Sequence, residues 1–388
     1  KDKLYLDYKS LTKSIKAGQI ILVADGTVVL HALAIKGGEV ECLIVSGATF
    51  GSRKNVCLPM VKIDLPALSE KDISDIKFGM EQNVDMIFAS FIRTADNVHE
   101  IRALLDITEN GKHIKIVSKV ENGEGVHNIR DIIHASDGVM LARGDLGMDL
   151  AMDRLPICQK NIFSLCNLAG KPVICATQML ESMITNFRPT RAEATDVENA
   201  VLDGADCVML SGESANGKYP IEAVNNMNML SRAAEKINRT KRLYENIKES
   251  MSMMTEFQAL AMAAVSMSYK LRSDGIIALT TSGKTVYQLS MFRPRCLIFA
   301  ITRSEKVARA CRLFRNVYPI LYTHSVAHSW TDDVDARFKF GVSHACAQDL
   351  CKEGSKVILI SGWKSGSGSS NCLRVVSVGS NQSICGIN

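Results

Sequence analysis

Short runs of apolar and β-branched residues, separated by longer helix-forming stretches, occupy the middle of the chain. Such runs lie at residues 86–90, 114–120, 138–142, 173–177 and 207–211, and enough chain for a helix follows each of them. Strands that alternate with helices predict parallel βα units. Polar residues end or follow the runs: Ser90, Lys119 with Glu121, Asp145, Thr177, and Ser211 with Glu213. Polar groups at the carboxyl ends of parallel strands are typical of the active face of a (β/α) barrel.

The pattern changes on either side of these units, which we assign to residues 62–238. Residues 1–61 contain short strand-like runs with Asp25-Gly26 and Gly37-Gly38 between them, two hairpin signals that predict a small all-β domain. Residues 239–388 alternate strands and helices again, and predict an open α/β sheet. A closed barrel has eight strands, so further barrel units are expected before Lys1.

Composition narrows the class of protein. The net charge of +5 comes from 46 Lys+Arg against 41 Asp+Glu, so neither nucleic acid nor a membrane is the expected partner. The 12 cysteines show no metal or disulfide spacing, which favours reduced thiols and a cytoplasmic location. No apolar stretch approaches the roughly 20 residues of a membrane-spanning helix.

The candidate chemistry centres on residues 119–145. Side chains alternate along a strand, so Lys119 and Glu121 leave the end of their run on one face. Asp145 follows the next run, beside Gly144, where backbone can approach a ligand. Two carboxylates and a lysine suit a divalent cation that holds an anion. An ordinary surface salt bridge is the alternative, and the repetition of polar strand ends argues against it.

Several long motifs identify a family resemblance. SKVENGEG, MLARGDLGMDL, KPVICATQMLESM, RPTRAEATDVENAVLDGADCVMLSGESANGKYP and GWKSGSGSSN resemble the motifs of pyruvate kinases in order and spacing, over about residues 1–378. The resemblance implies an α/β protein: a TIM-type (β/α)8 barrel whose first strands are absent from this chain, an all-β cap insertion and a C-terminal open α/β domain. It also implies transfer of the phosphoryl group of phosphoenolpyruvate to ADP, giving pyruvate and ATP, the last step of glycolysis.

The resemblance assigns roles to individual residues. Lys119 would neutralise charge on the transferring group, and Glu121 with Asp145 would hold Mg²⁺ or Mn²⁺. Backbone N–H groups of Gly144 and Asp145 would bind the substrate carboxylate, and Thr177 would direct a proton through water.

Further positions complete this implied site. Ser90 and Phe91 match the side of the pocket that takes the substrate and a monovalent cation, K⁺. Ser211 and Glu213 match a supporting layer, and Lys54 matches a lysine that reaches the nucleotide phosphates. The turn at residues 188–191 matches a subunit contact, which implies a homotetramer.

A second, effector site is expected in the C-terminal domain. Residues 281–285 nearly spell a phosphate-binding P-loop, but Ala278 stands where that motif needs glycine, so an NTP-hydrolysing loop is not expected. The resemblance places the pocket for a phosphorylated sugar effector at Thr280, Ser282, Gly283, Lys284, Thr285, Trp330 and Arg337, with the loop 364–370. Thr281 occupies a position where activated members often have lysine.

Two other functions remain open from the sequence. A metal-dependent lyase that cleaves a 2-oxo acid through an enolate would also use paired carboxylates on a similar barrel. A non-catalytic regulatory chain would follow if the first barrel strands were absent. The all-β insertion and the C-terminal domain argue against the lyase, and the intact Lys119, Glu121, Asp145 and Thr177 argue against a decayed site.

Overall fold

The chain is described by a computed structural model that covers residues 3–237, 240–251, 253–364, 366, 368, 370–380 and 384–385. Within these residues the strands form three sheets. No helix in the described part of the chain is both long enough and apolar enough to cross a membrane. The predicted domain boundary at residues 238 and 239 lies outside the described residues, and the other domain bounds stay predictions.

The first sheet is antiparallel, with the order β3-β2-β1-β4. Its strands are β1 (Ile20–Val23), β2 (Val28–Lys36), β3 (Glu39–Ser46) and β4 (Val56–Cys57). Both predicted hairpin turns are confirmed, because Asp25-Gly26 and Gly37-Gly38 adopt the left-handed φ values that a tight turn between twisted strands requires. We call residues 20–57 the cap.

The second sheet carries the predicted barrel units. Strands β5 (Met86–Ala89), β6 (Lys115–Val120), β7 (Gly138–Ala142), β8 (Val173–Ala176) and β9 (Cys207–Met209) pair in parallel and in sequence order. Each lies within two residues of its predicted bounds. The sequential parallel order is that of a (β/α) barrel, in which the carboxyl ends of the strands share one face.

The third sheet has the order β12-β11-β10-β13-β14-β15. Its strands are β10 (Gly275–Leu279), β11 (Leu297–Thr302), β12 (Val317–Leu321), β13 (Lys356–Gly362), β14 (Ser370–Val378) and β15 (Ile384–Cys385). Strands β10 to β13 pair in parallel, whereas β14 and β15 add to the sheet antiparallel. The predicted open α/β sheet is thus confirmed, with an antiparallel edge.

Helices connect and cover these strands. They are α1 (Leu11–Ser14), α2 (Glu70–Glu81), α3 (Ala95–Leu105), α4 (Glu109–Lys112), α5 (Gly123–His127), α6 (Ile129–Ala135), α7 (Arg143–Asp149), α8 (Leu155–Ala169), α9 (Arg191–Leu202), α10 (Gly212–Ala215), α11 (Pro220–Lys236), α12 (Thr240–Ser250), α13 (Glu256–Leu271), α14 (Lys284–Met291), α15 (Glu305–Ala310) and α16 (Trp330–Ala347). Short 3-10 turns lie at Glu181–Ile184 and Cys311–Leu313.

Local capping explains where several helices begin. Ser69 and Asp72 form a capping box at the start of α2. Thr255 caps α13, which begins at Glu256, by accepting the N–H of Gln258.

A buried ion pair joins the barrel units to the C-terminal domain. The side chains of Arg293, which follows α14, and Asp206, which precedes β9, are 2% and 4% exposed. Asp206 Oδ2 also accepts the N–H of Val173 at the start of β8 (3.0 Å). The Arg293 guanidinium further contacts Asn167 Oδ1. This junction therefore lies at the amino ends of β8 and β9, opposite the predicted active face.

Asp206→Ala is expected to lower the free energy of unfolding by about 3–5 kcal/mol, because it leaves the buried Arg293 guanidinium without its partner. Asp85→Ala is the matched control, since the Arg309–Asp85 pair joins the same two domains with its arginine 50% exposed. That loss should be about 1 kcal/mol or less. Urea unfolding followed by circular dichroism measures both, and equal losses would contradict the assignment.

Candidate active site

Four of the predicted residues form one hydrogen-bonded network where β5 and β6 end. Lys119 Nζ lies 2.9 Å from Glu121 Oε1 and donates a 2.8 Å hydrogen bond to Ser90 Oγ. The backbone N–H of Phe91, a residue with the left-handed φ of 54°, donates to Glu121 Oε2 at 2.6 Å. The Glu121 side chain is 1% exposed and that of Lys119 is 24% exposed. Both Glu121 oxygens are thus held in place, while the lysine still reaches solvent.

Asp145 lies within the electrostatic reach of this network, in the first turn of α7. Burial raises the pKa of its carboxyl above the ordinary value, and the charge of Glu121 raises it further, while Lys119 opposes the shift. The cap residue Asp25 also raises the pKa of Asp145. The cap turn therefore lies close enough to the barrel face for its charge to act there.

The donor set fits a divalent cation. The negative charge of Glu121 disfavours the ionisation of Asp145. A cation bound between the two carboxylates would reduce this repulsion. The described residues contain no group of three or more His, Cys, Asp or Glu side chains arranged to hold a metal. Glu121 and Asp145 would thus supply two protein ligands, as suits Mg²⁺, which keeps several waters or substrate oxygens.

Thr177 follows β8 in an unusual conformation. Its φ is 76° and that of Gln178 is 57°, so the chain does not continue into a helix at this point. A β-branched residue in the left-handed region costs on the order of 1–3 kcal/mol. The surroundings impose it: Arg143 donates to the carbonyl oxygen of Thr177 from Nε (3.3 Å) and from Nη2 (2.9 Å).

Asp196 and Gly144 both constrain this arrangement. Asp196 accepts two 2.7 Å hydrogen bonds from the Arg143 guanidinium, so the arginine pairs with a carboxylate of its own chain. A Cβ at Gly144 would lie 2.7 Å from Thr177 Cγ2. Glycine at position 144 is therefore required by close approach, and Thr177 lies directly against the backbone that is predicted to bind the substrate carboxylate.

Glu213 has a supporting position. It is 0% exposed; its Oε1 accepts the N–H of Leu180 (3.0 Å) and its Oε2 that of Ser211 (2.8 Å). The carboxylate thereby ties the loop after β8 to the loop after β9.

Lys54 is not brought into this site. It is exposed, and no hydrogen bond or ion pair holds its ammonium group within the part of the chain that the structure describes. The role predicted for it would need the side chain to turn toward a bound nucleotide.

Sequence reasoning missed two carboxylates that organise the site, Asp149 and Asp196. Asp149 ends α7, four residues after Asp145, and that i, i+4 spacing was the signal that could have found it. Asp196 lies on α9, and nothing in the sequence near Arg143 indicates that it is the partner.

The predicted effector residues also lie together, around a cavity of about 240 Å³ in the C-terminal domain. It is lined by Phe257, Leu279, Thr280, Thr281, Ser282, Lys284, Thr285, Trp330, Arg337, Gly362, Lys364, Gly366, Gly368 and Ser370. Gly283 adopts the left-handed conformation that starts α14, and its N–H donates to Thr280 Oγ1 (2.9 Å). Ser365, Ser367 and Ser369 of the predicted loop lie outside the described residues.

Arg337 gives this cavity a buried cation. It is 7% exposed, its guanidinium carbon lies 5.2 Å from the centre of the Trp330 ring, and its Nη2 is 2.9 Å from Asp333 Oδ2. Asp333 also pairs with Arg303. A planar cation fixed over an aromatic ring is suited to an anionic ligand.

Comparisons with known proteins agree with the resemblance seen in the sequence. The family profile described as "Pyruvate kinase, barrel domain" matches residues 1–224, and the one described as "Pyruvate kinase, alpha/beta domain" matches residues 258–376. A curated protein of Debaryomyces hansenii named pyruvate kinase is 46% identical over 375 residues, which are 96% of this chain and 74% of that protein. A pyruvate kinase of Candida albicans is 45% identical, with the same shares covered. Pyruvate kinase PKLR of Rattus norvegicus is 44% identical over 97% of this chain and 65% of its own length.

The raised pKa of Asp145 predicts a gain in stability on removal of its charge. Because the folded state binds this proton more tightly than the unfolded chain, stability falls as pH rises from the ordinary value of 3.8 through the folded pKa. In metal-free buffer above that window, Asp145→Asn should therefore unfold at a higher temperature than the parent, and below pH 3.8 the difference should disappear. Thermal unfolding across a pH series measures this.

The exposed Asp153 provides the control, since Asp153→Asn should leave the melting temperature unchanged at every pH. A lower melting temperature for Asp145→Asn at neutral pH would show that its surroundings stabilise the ionised carboxylate, which is the opposite of a raised pKa.

Proposed function

The chain belongs to the pyruvate kinase family and has pyruvate kinase function, and we propose that the network of Ser90, Lys119 and Glu121, with Asp145 beside it, is its catalytic centre. The reaction is transfer of the phosphoryl group of phosphoenolpyruvate to ADP, followed by protonation of the enolate to pyruvate. The observation that carries the assignment is the 2.9 Å pair of Lys119 and Glu121 at the carboxyl end of β6. Phosphoryl transfer asks a protein chiefly for such fixed charges and for positioning.

Glu121 and Asp145 are the proposed ligands of Mg²⁺ or Mn²⁺. When bound, the divalent cation supplies positive charge to the phosphoryl and enolate oxygens. A K⁺ ion beside Ser90 and Phe91 belongs to the same proposal, since the family implies potassium dependence. Because both oxygens of Glu121 are already oriented by Lys119 and by the Phe91 N–H, the ligand geometry is set before substrate arrives.

Lys119 neutralises the transferring phosphoryl group and the enolate oxygen. The Lys119 side chain is 24% exposed, so its ammonium group can contact a substrate while it stays close to Ser90 and Glu121. The N–H groups of Gly144 and Asp145 lie in the first turn of α7, where backbone donors have no partner within the helix, and they bind the substrate carboxylate.

Thr177 directs a proton through water to the methylene carbon of the enolate. A threonine hydroxyl is too weak an acid to give up its own proton, so it orients a water molecule instead. Arg143 and Asp196 hold the backbone of Thr177, and Glu213 with Ser211 fixes the loop beside it. The lyase considered from the sequence is set aside, since profiles of both pyruvate kinase domains match the chain.

The nucleotide and the assembly complete the proposal. Lys54, exposed on the cap, contacts the phosphates of ADP or ATP. The protein acts in the cytoplasm as a homotetramer and requires neither nucleic acid nor a membrane. The cavity at Arg337 takes a phosphorylated sugar effector, because it combines a buried guanidinium with Lys284 and the hydroxyl groups of Thr280 and Thr285.

Lys119→Met is expected to lower kcat by about 100- to 1000-fold, the usual loss when one preorganised charge is removed from a transition state. Pyruvate formation from phosphoenolpyruvate and ADP with Mg²⁺, with and without K⁺, measures it. Lys115→Met is the matched control, because Lys115 lies at the opposite end of β6, paired with Asp137 and 49% exposed. Equal activity of the two variants would refute the role of Lys119, and an inactive parent would favour a non-catalytic chain.

Arg337→Gln is expected to weaken binding of a hexose bisphosphate by about tenfold, the usual cost of losing one hydrogen bond to a charged group. The fluorescence of Trp330, which lines the cavity, reports binding in a titration. Arg374→Gln serves as control, because that guanidinium is 43% exposed on β14 and pairs with Asp335 outside the cavity lining. Unchanged affinity in Arg337→Gln would place the effector elsewhere.

A further inference from the structure

Asp149, the last residue of α7, joins three parts of the molecule. Its Oδ1 accepts the backbone N–H of Met60 at 2.8 Å, and its Oδ2 accepts that of Gly123 at 2.5 Å. Met60 lies in the segment that leads from β4 of the cap to the barrel units. Gly123 follows Glu121 by two residues. The helix itself carries Asp145 in its first turn.

The contact is packed as well as hydrogen-bonded. A Cβ at Gly123 would lie 3.2 Å from Met60 Sδ and 3.3 Å from Asp149 Oδ2, so the three residues meet with little room to spare. Met60 adopts a φ of 58°, which is unusual for a residue other than glycine. This conformation accompanies the N–H bond to Asp149.

The position of Asp149 also carries an electrostatic cost. A negative side chain at the C-terminal end of a helix is disfavoured by the exposed carbonyl groups there. Asp145 lies nearby, as the thiol of Cys57 shows: burial raises its pKa to about 12, and the charges of Asp149 and Asp145 add to the shift. Two charge-assisted hydrogen bonds from backbone N–H groups offset these repulsions.

We propose that Asp149 is a positioning residue, whose carboxylate fastens the cap linker at Met60 and the Glu121 loop at Gly123 to the helix that carries Asp145. The spacing of Glu121 and Asp145 then depends on a residue that binds neither metal nor substrate. The two hydrogen bonds of Asp149 also hold the segment that follows the cap, at Met60, against the Glu121 loop, at Gly123. The cap and the pair of Glu121 and Asp145 are therefore positioned by one residue. This inference rests on the divalent-cation site proposed above.

The first test measures Mn²⁺ binding by the free protein, with electron paramagnetic resonance of unbound Mn²⁺ and without substrates. Asp149→Asn should weaken Mn²⁺ binding by about tenfold, the lower end of the range for residues that orient metal ligands. Asp149→Glu keeps both acceptor oxygens and should recover most of the affinity. Asp153→Asn is the control, an exposed carboxylate a few residues further along, and should bind Mn²⁺ as the parent does.

The second test needs neither metal nor turnover. Lys62 is exposed two residues after Met60, so trypsin cleavage there reports release of the linker. Asp149→Asn should be cleaved about tenfold faster, since losing one charge-assisted hydrogen bond shifts an opening equilibrium by about that factor. The circular dichroism spectrum and melting temperature of each variant establish that it is folded under the assay conditions.

Two results would overturn the inference: folded Asp149→Asn that binds Mn²⁺ as tightly as the parent, or that is cleaved at the parent's rate. If Asp149→Asn does not fold, Gly123→Ala replaces it, because the added Cβ presses on Met60 and Asp149, and unchanged binding and cleavage would again refute the inference. Glu121→Gln separates the two proposals. If it binds Mn²⁺ like the parent, the metal site is wrong, while the cleavage rate still judges the anchor.

Discussion

Carboxylates that accept backbone N–H groups from neighbouring loops hold the functional end of the barrel units together. Glu121 accepts from Phe91, Glu213 accepts from Leu180 and Ser211, and Asp149 accepts from Met60 and Gly123. The strands are only three to six residues long, so their ladder bonds end before these loops begin. Beyond the strand ends, carboxylate side chains accept the hydrogen bonds of backbone N–H groups. These N–H groups would otherwise be buried without a hydrogen-bond partner. The geometry of the site therefore depends on carboxylate oxygens that accept hydrogen bonds in place of backbone carbonyl groups.

The same hydrogen bonds allow a charged carboxylate to be buried in the proposed active site. A carboxylate that is 1% exposed, like Glu121, remains tolerable because a lysine and a backbone N–H both donate to it. Asp145 differs, because burial and the charge of Glu121 raise the pKa of its carboxyl. The proposed site therefore combines one carboxylate whose oxygens both accept hydrogen bonds, Glu121, with one whose ionisation is disfavoured, Asp145, and a divalent cation would stabilise the charge of the second. The proposed role of Asp145 as a metal ligand therefore costs stability in the metal-free protein, whereas the proposed role of Glu121 uses a carboxylate that its hydrogen bonds already stabilise.

The strands and turns of the fold could be predicted from sequence because their signals are local. Apolar and β-branched runs predicted β5 to β9 within two residues of their observed bounds, and two glycine turns predicted the hairpins of the cap. The network of Lys119 and Glu121 followed from side-chain alternation at the end of one strand. What escaped prediction depends on distant partners. Nothing near Arg143 in the chain indicates Asp196, and a β-branched residue such as Thr177 suggests extended backbone until Arg143 and Gly144 are brought against it in space.

The junction of Arg293 with Asp206 lies at the amino ends of β8 and β9, whereas Thr177, Ser211 and Glu213 follow their carboxyl ends. The amino ends of these short strands thus contact a neighbouring domain, while residues of the proposed active site follow their carboxyl ends. The C-terminal domain, which contains the proposed effector cavity, is therefore fixed to these strands at the ends away from Thr177. A change at this junction can therefore alter the contact between the domains without touching the proposed catalytic residues, although only strands of three and four residues separate the two places.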